Sequence, residues 1–299
     1  MTPVSGRIDA HHHFWDPARY AYPWMAGEAM DPVRRAFGPT DLAAELGPAD
    51  VTGTVLVQTV SDLAETREFL EIAAHTDFVA GVVGWVDLTS PSVGDDLDEL
   101  LDGHGNGHGH EHGHGPTGNR LVGIRHQVHD EPDARWLCRD DVRRGLTAVQ
   151  SRGLTYDLLV RARELPAATE TVAAFPELRF VLDHIAKPRI IDGHDESWHE
   201  RLPRLAELPN VSVKLSGMVT EADWTHWTPA DLRPFVRSVV DWFGTDRVMF
   251  GSDWPVCLLA GSYQSVSAGL ADALGPLSSS EETAVYRDNA LTAYRLPER

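Results

Sequence analysis

The chain, 299 residues long, reads as an α/β protein of the (β/α)8 TIM-barrel class. Two observations carry that reading. Eight short runs rich in Val, Ile and Leu are spread from one end of the chain to the other, as parallel strands buried on both faces require. Helical patterns with start and stop signals separate them. Eight such units over roughly 250 residues match the arithmetic of the barrel. A doubly wound open sheet is the alternative, but no Gly-x-Gly-x-x-Gly turn follows the first strand, so the dinucleotide site of that fold has no support. The expected organisation is a single domain, 1–299, with a Gly/His-rich loop at 103–115.

In chain order the strand-like runs are RIDAHHHFW (7–15), TGTVLVQTV (52–60), VAGVVGWVD (79–87) and LVGIRHQVH (121–129). LTYDLLV (154–160), RFVLDHIAK (179–187), VSVKLSGM (211–218) and RVMFGSDWP (247–255) follow. Between them, Thr40 is the expected cap of a helix that stops at Gly47. Ser61 is the expected cap of the next, with Leu63, Leu70 and Ala74 on one face. Residues 134–152 are helix-periodic and end at Gly153. Thr228 and Pro229 read as cap and first helical residue of another helix. Ser279 and Glu282 have capping-box spacing before the terminal helix.

Composition narrows the function. With 45 acidic and 26 basic side chains the net charge is −19, which repels nucleic acid and anionic membrane alike. No apolar run reaches the length of a membrane span, and the N-terminus shows no basic-then-apolar signal pattern. Cys138 and Cys257 are too few for a disulfide framework or a cysteine metal cage. The expectation is a cytoplasmic protein acting on a small molecule, with a homo-oligomer left open.

Chemistry gathers at the ends of four strands. Side chains alternate along a strand, so in the triplet after Ala10 only His11 and His13 share a face, and His12 points the other way. FVLDHIAKP places Asp183, His184 and Lys187 after strand six, and VMFGSDWPV places Asp253 after strand eight. GIRHQVHDE places Arg125, His126 and His129 after strand four. Any one of these could be a satisfied core histidine or a turn-capping aspartate. Their coincidence at one end of a barrel, the end where catalysis occurs, favours a site.

Ile-Asp-x-His-x-His-x-Trp at the start, DHIAKP and FGSDWP together resemble the amidohydrolase superfamily, in its amidohydrolase-2-type branch of sugar-acid lactonases and relatives. The resemblance runs from Ile8 to the terminal RDNALTAYRL. It implies a (β/α)8 barrel that hydrolyses esters or amides, often lactones. His11 and His13 match the strand-one pair, His184 the later-strand histidine, and Asp253 the aspartate that deprotonates the attacking water. Arg125 resembles the branch's strand-four arginine, which faces substrate.

The chain departs from the two-metal pattern of the superfamily. Strand five offers Tyr156 and Asp157 but no histidine, and strand four has no bridging lysine. At most one divalent cation is expected, Zn²⁺ by the donor set, on His11, His13, His184 and Asp253. A metal-independent route through the same residues stays open. Catalysis is assigned to Asp253, His184 and Arg125, and substrate contacts to Arg125, His126, Lys187, Trp85 and Tyr156. Lys214 is a further cation, and Trp15, Trp24, Trp85 and Trp254 could supply an apolar wall. A decarboxylase of the same superfamily, or another amide or ester hydrolase, is the rival. A Ser-His-Asp hydrolase is disfavoured because no Gly-x-Ser-x-Gly elbow is present.

The stretch GHGNGHGHEHGHG, with five histidines, follows the helix after strand three. Its glycines raise the entropy of ordering and it has no apolar residue to offset that cost. Strand order puts it on the face of the barrel opposite the four strand ends. Replacing residues 104–114 by a short Gly-Ser linker is therefore expected to leave kcat/KM unchanged at saturating metal while weakening retention on an immobilised Ni²⁺ column. Loss of turnover in the folded linker variant would show that the loop serves the active site.

Overall fold

In a computed structural model of the chain, residues 6–102 and 120–297 are described; the Gly/His-rich loop at 103–115 lies outside them. Eight strands pair in parallel in simple chain order. They are β1 (Arg7–His12), β2 (Val51–Val57), β3 (Val79–Gly84), β4 (Leu121–His126), β5 (Thr155–Leu158), β6 (Phe180–Leu182), β7 (Val211–Leu215) and β8 (Val248–Phe250). A helix follows each: α1 (Pro39–Leu46), α2 (Leu63–Ala74), α3 (Val93–Asp102), α4 (Asp140–Ser151), α5 (Leu165–Ala174), α6 (Glu196–Ala206), α7 (Pro229–Phe243) and α8 (Tyr263–Leu274). The seam between β8 and β1 is drawn together just beyond β8, where Asp253 N donates to His11 O at 2.8 Å and His13 N to Trp254 O at 2.7 Å. The expected (β/α)8 barrel is the fold.

Helix starts differ from the sequence reading by a residue or two. Gly38, not Thr40, precedes α1, and its N–H donates to Asp41 Oδ2 at 3.0 Å. Asp62 Oδ1 accepts from Ala64 N at 2.8 Å and caps α2, while the Ser61 hydroxyl donates instead to Gln127. The buried stripe of α2 runs through Thr66, Phe69, Leu70 and Ala73, leaving Ala74 exposed. Ser278 and Glu281, rather than Ser279 and Glu282, form the box before α9 (Ser279–Thr283). Thr228 and Asp231 cap α7 as anticipated. No described helix is long and apolar enough to cross a membrane.

The barrel has two concentric apolar layers. Leu56, Val82, Ile124, Leu158, Leu182 and Val213 point outward to the helices. Val55, Val57, Val83, Val181 and Met249 point inward. The lumen is closed at the strand N-termini by α10 (Asn289–Tyr294), whose Ala290, Ala293 and Tyr294 join that inner cluster. Above this floor the lumen turns polar. The register of β1 slips between Asp9 and His12. Asp9 accepts from Ser252 N at 2.9 Å and from the Tyr263 hydroxyl at 3.0 Å, while Ala10 packs in the inner cluster.

His12 lies on the outer face, fully buried, with Nε2 2.9 Å from Thr54 Oγ1. Burial pushes its pKa from 6.5 down to about 3. Between those values the unfolded chain binds a proton that the native chain does not, so the stabilisation is complete above the unfolded pKa and is lost as pH falls below it. Urea denaturation at pH 7 and pH 5 checks this. Wild type is expected to lose about 2 kcal/mol more than His12→Gln over that interval. Equal losses in the two proteins would show that His12 is already protonated in the fold.

Candidate active site

Four side chains from three parts of the barrel meet at the C-terminal end of the strands. Nε2 of His11 and Nε2 of His13 are 3.2 Å apart. Asp253 Oδ1 lies 3.3 Å from His13 Nε2, 3.7 Å from His11 Nε2 and 4.0 Å from His184 Nε2. All four residues are buried. A tetrahedral zinc ion with bonds of roughly 2.0–2.1 Å needs donors roughly 3.3 Å apart, so the spacing fits one ion. His11, His13 and Asp253 together meet the separation that a shared cation requires.

Each imidazole is held from behind. His13 Nδ1 is 2.7 Å from the Val57 carbonyl, which only accepts, so Nδ1 carries a proton and Nε2 is turned to the cavity. His184 Nδ1 is 2.9 Å from the Ser216 hydroxyl. His11 Nδ1 faces Asp183 Oδ1 at 3.3 Å and Lys214 Nζ at 3.1 Å. Burial keeps His11 well below the usual imidazole range and takes His184 to about 3, so both rings are neutral, as ligation demands. Burial alone would raise Asp253, but His184 and His13 outweigh it and hold the carboxyl below its ordinary range.

The backbone that presents these groups is left-handed. His184, Ile185, Ala186 and Lys187 have φ of 53°, 48°, 63° and 50°, and Asp253 has 56°. Such a conformation costs non-glycine residues roughly 1–2 kcal/mol each. Local contacts hold the first turn: Lys187 N donates to His184 O at 2.8 Å, and Trp198 Nε1 to Ile185 O at 2.5 Å. Pro188 also disfavours a right-handed helical Lys187. Gly217, with φ +59°, lies against this turn, where a Cβ would stand 2.4 Å from His184 Nδ1 and 3.1 Å from Asp253 Oδ2.

Over the four donors opens a cavity of about 380 Å³ lined by His13, His184, Asp253, Arg125 and Lys187 among others. Its lining includes apolar Trp24, Met30, Trp224 and Leu259 and polar Thr59, Gln127, His129 and Arg161. Lys187 is paired with Glu221 at 2.6 Å. Arg125, expected to act in catalysis and on substrate, lines the cavity, but one terminal nitrogen donates to Asp183 Oδ2 at 2.9 Å and the other to the Gln58 carbonyl, so it also braces the barrel.

Three expected substrate contacts do not line this cavity. Alternation turns Tyr156 outward, fully buried and edge-on to Phe180, because its neighbour Asp157 takes the lumen. His126, next to Arg125, likewise faces away: it stacks on Trp136 at 4.3 Å and accepts from Trp85 Nε1 at 3.0 Å. Trp85 is therefore a packing partner of His126. Of the four tryptophans suggested for a wall only Trp24 lines the cavity, and Trp224 was overlooked. Lys214 is not a substrate cation either, since it is wholly buried against Asp157 and Asp183 at 2.7 and 2.9 Å. A lone charge inside a strand otherwise written for burial was the available signal for both Asp157 and Lys214.

A family model of amidohydrolases matches residues 8–296. The chain belongs to the amidohydrolase family. An L-fucono-1,5-lactonase of Burkholderia multivorans is 38% identical over 304 residues, covering 98% of this chain and 97% of the relative. Another, of Burkholderia ambifaria, is 39% identical over 265 residues, covering 89% and 86%. The crystal structure of an amidohydrolase from Burkholderia multivorans with bound zinc matches with a TM-score of 0.85 and 35% identity, over 98% of this chain and 100% of that one. This amidohydrolase is thus a hydrolase by family.

In this amidohydrolase, Gly217→Ala is expected to push His184 out of line, because the new methyl has no room and the backbone is left-handed. Zinc affinity measured by chelator competition should fall at least tenfold. Unchanged affinity would show that His184 is not held by this contact.

Proposed function

We propose that the chain is a lactonase that opens a sugar-acid lactone, with L-fucono-1,5-lactone, named for its relatives, as the first candidate. The observation that carries the reading is the convergence of three imidazoles and one carboxylate beneath a cavity lined both by apolar side chains and by groups that hydrogen-bond hydroxyls. A ring bearing hydroxyls on one face suits such walls.

Asp253 is the general base. Its carboxyl stays ionised well into the acid range, and with Oδ1 turned to the imidazoles, Oδ2 is left to take a proton from water. As that proton moves to Asp253, the water oxygen adds to the lactone carbonyl carbon. The ring C–O bond then breaks, and the leaving alkoxide recovers the proton from Asp253, giving the open hydroxy acid. Arg125 and the site's imidazoles favour the charge that develops on the carbonyl oxygen. A zinc ion held by His11, His13, His184 and Asp253 would supply Lewis acidity and a lower water pKa there.

A pH-indicator screen of aldonolactones, with metal content measured on the same sample, tests this reading. Acid release with a hydroxy-acid product is expected; CO₂ release instead would move the chain to the decarboxylases. Asp253→Asn should lower kcat by roughly 10²–10⁴-fold with unchanged far-UV circular dichroism. Near-wild-type turnover in the folded variant would remove Asp253 from the role of base.

A further inference from the structure

Beneath the four donors is a second set of buried groups that the reaction leaves unused. Lys214 Nζ lies 2.7 Å from Asp157 Oδ2, 2.9 Å from Asp183 Oδ1 and 3.1 Å from His11 Nδ1. Those partners come from β5, the turn after β6, and β1. An ammonium has three N–H groups, and here three neighbours surround it in a fully buried lumen. Two carboxylates and an imidazole nitrogen from three strands are also the donor types that hold a divalent cation. Lys214 donates a hydrogen bond to Asp157 Oδ2, and its contact with Asp183 is an ion pair.

We infer that the Lys214 ammonium stands where a second metal ion would sit, so that the centre takes one external cation and carries its second cation as a side chain. Three further observations support this. His11 is shared: its Nε2 faces His13 and Asp253, while its Nδ1 faces Lys214 and Asp183, so one ring joins both cation positions. Donor atoms of His11, Asp183 and His184 meet the spacing of a metal site, so two of the groups that touch the ammonium, His11 and Asp183, are placed to serve a cation. Charge is balanced within the lumen, where Lys214 and Arg125 face Asp157 and Asp183, and Tyr294 Oη donates to Asp157 Oδ2 at 2.7 Å from below. Removing the ammonium leaves carboxylates in a place where an unpaired charge is very costly, and a divalent ion is the natural replacement. Lys214 is thus a positioning residue: it fixes Asp183 and His11 whether or not a metal is bound, and unlike a metal it does not exchange.

The inference rests on the proposed one-ion site, but the two fail separately, because what counts here is the gain of an ion relative to wild type. The test uses the full chain with His104, His108, His110, His112 and His114 replaced by serine, so that the His-rich stretch adds no ions. Zinc per chain is measured by elemental analysis after dialysis against buffered Zn²⁺. Lys214→Ala is expected to hold one ion more than the same chain with Lys214. Lys214→Ala/Asp157→Asn, which also removes a donor, is expected to show no gain. An equal count with and without Lys214, or a gain that survives loss of Asp157, overturns the inference. Should Lys214→Ala precipitate in metal-free buffer, it is refolded at graded Zn²⁺. Recovery of soluble, folded protein with rising Zn²⁺ supports the inference, and no recovery at any concentration overturns it.

Discussion

Charge buried in the lumen constrains everything above it. Asp157, Asp183, Lys214 and Arg125 are all within the barrel and nearly inaccessible. Burying such groups costs several kcal/mol per ion, and their mutual attraction offsets this only when the geometry is good. Each must therefore find its partner across the lumen on another strand, as Lys214 of β7 meets Asp157 of β5, and a one-residue slip of any strand would turn its charge into the helical layer. Burial raises Asp157 to about 6 even beside Lys214, whereas Asp183, with Lys214, His11 and Arg125 around it, is held well below the usual carboxylate range. The more heavily partnered carboxylate is the one that touches His11.

From that layer the site is built upward by rigid relays. Asp183 orients His11, Ser216 orients His184, and the Val57 carbonyl orients His13. Each contact fixes which ring nitrogen faces the cavity, the arrangement expected of metal-ligating histidines. Left-handed turns at His184–Lys187 and at Asp253 aim the remaining side chains inward. The rest of the fold tolerates this strain because the floor beneath is packed with Val55, Val57, Val83, Val181 and Met249 and sealed by α10. His11, His13 and Asp253, which close the β8–β1 seam through their backbones, are three of the four residues that meet at the candidate site, so the site cannot loosen without opening the barrel.

Some of this was legible in the chain. Period-two alternation separated His11 and His13 from His12, and the structure keeps that division. The same rule, applied to LTYDLLV and GIRH, should have paired Asp157 with the lumen and Arg125 against His126. Only one of two neighbours can face inward, so Tyr156 beside Asp157 and His126 beside Arg125 turn away from the lumen. Gln58 and Ser216 were not legible, since a polar residue at a strand end has no sequence mark that distinguishes a brace from a surface group.

The sequence by itself determined the eight-fold alternation, the strand ends that bear His11, His13, His184 and Asp253, and the burial of the strands, because these follow from local periodicity and residue type. Tertiary structure alone decided which charges pair. Lys214 meets Asp157 across 57 positions and His11 across 203, distances over which no local pattern extends. It also decided that Arg125 braces Asp183 and that Lys187 meets Glu221. Closure of the barrel brings β1 beside β8 and sets the lumen's charges within contact, and only in that low-dielectric space does each pairing become obligatory.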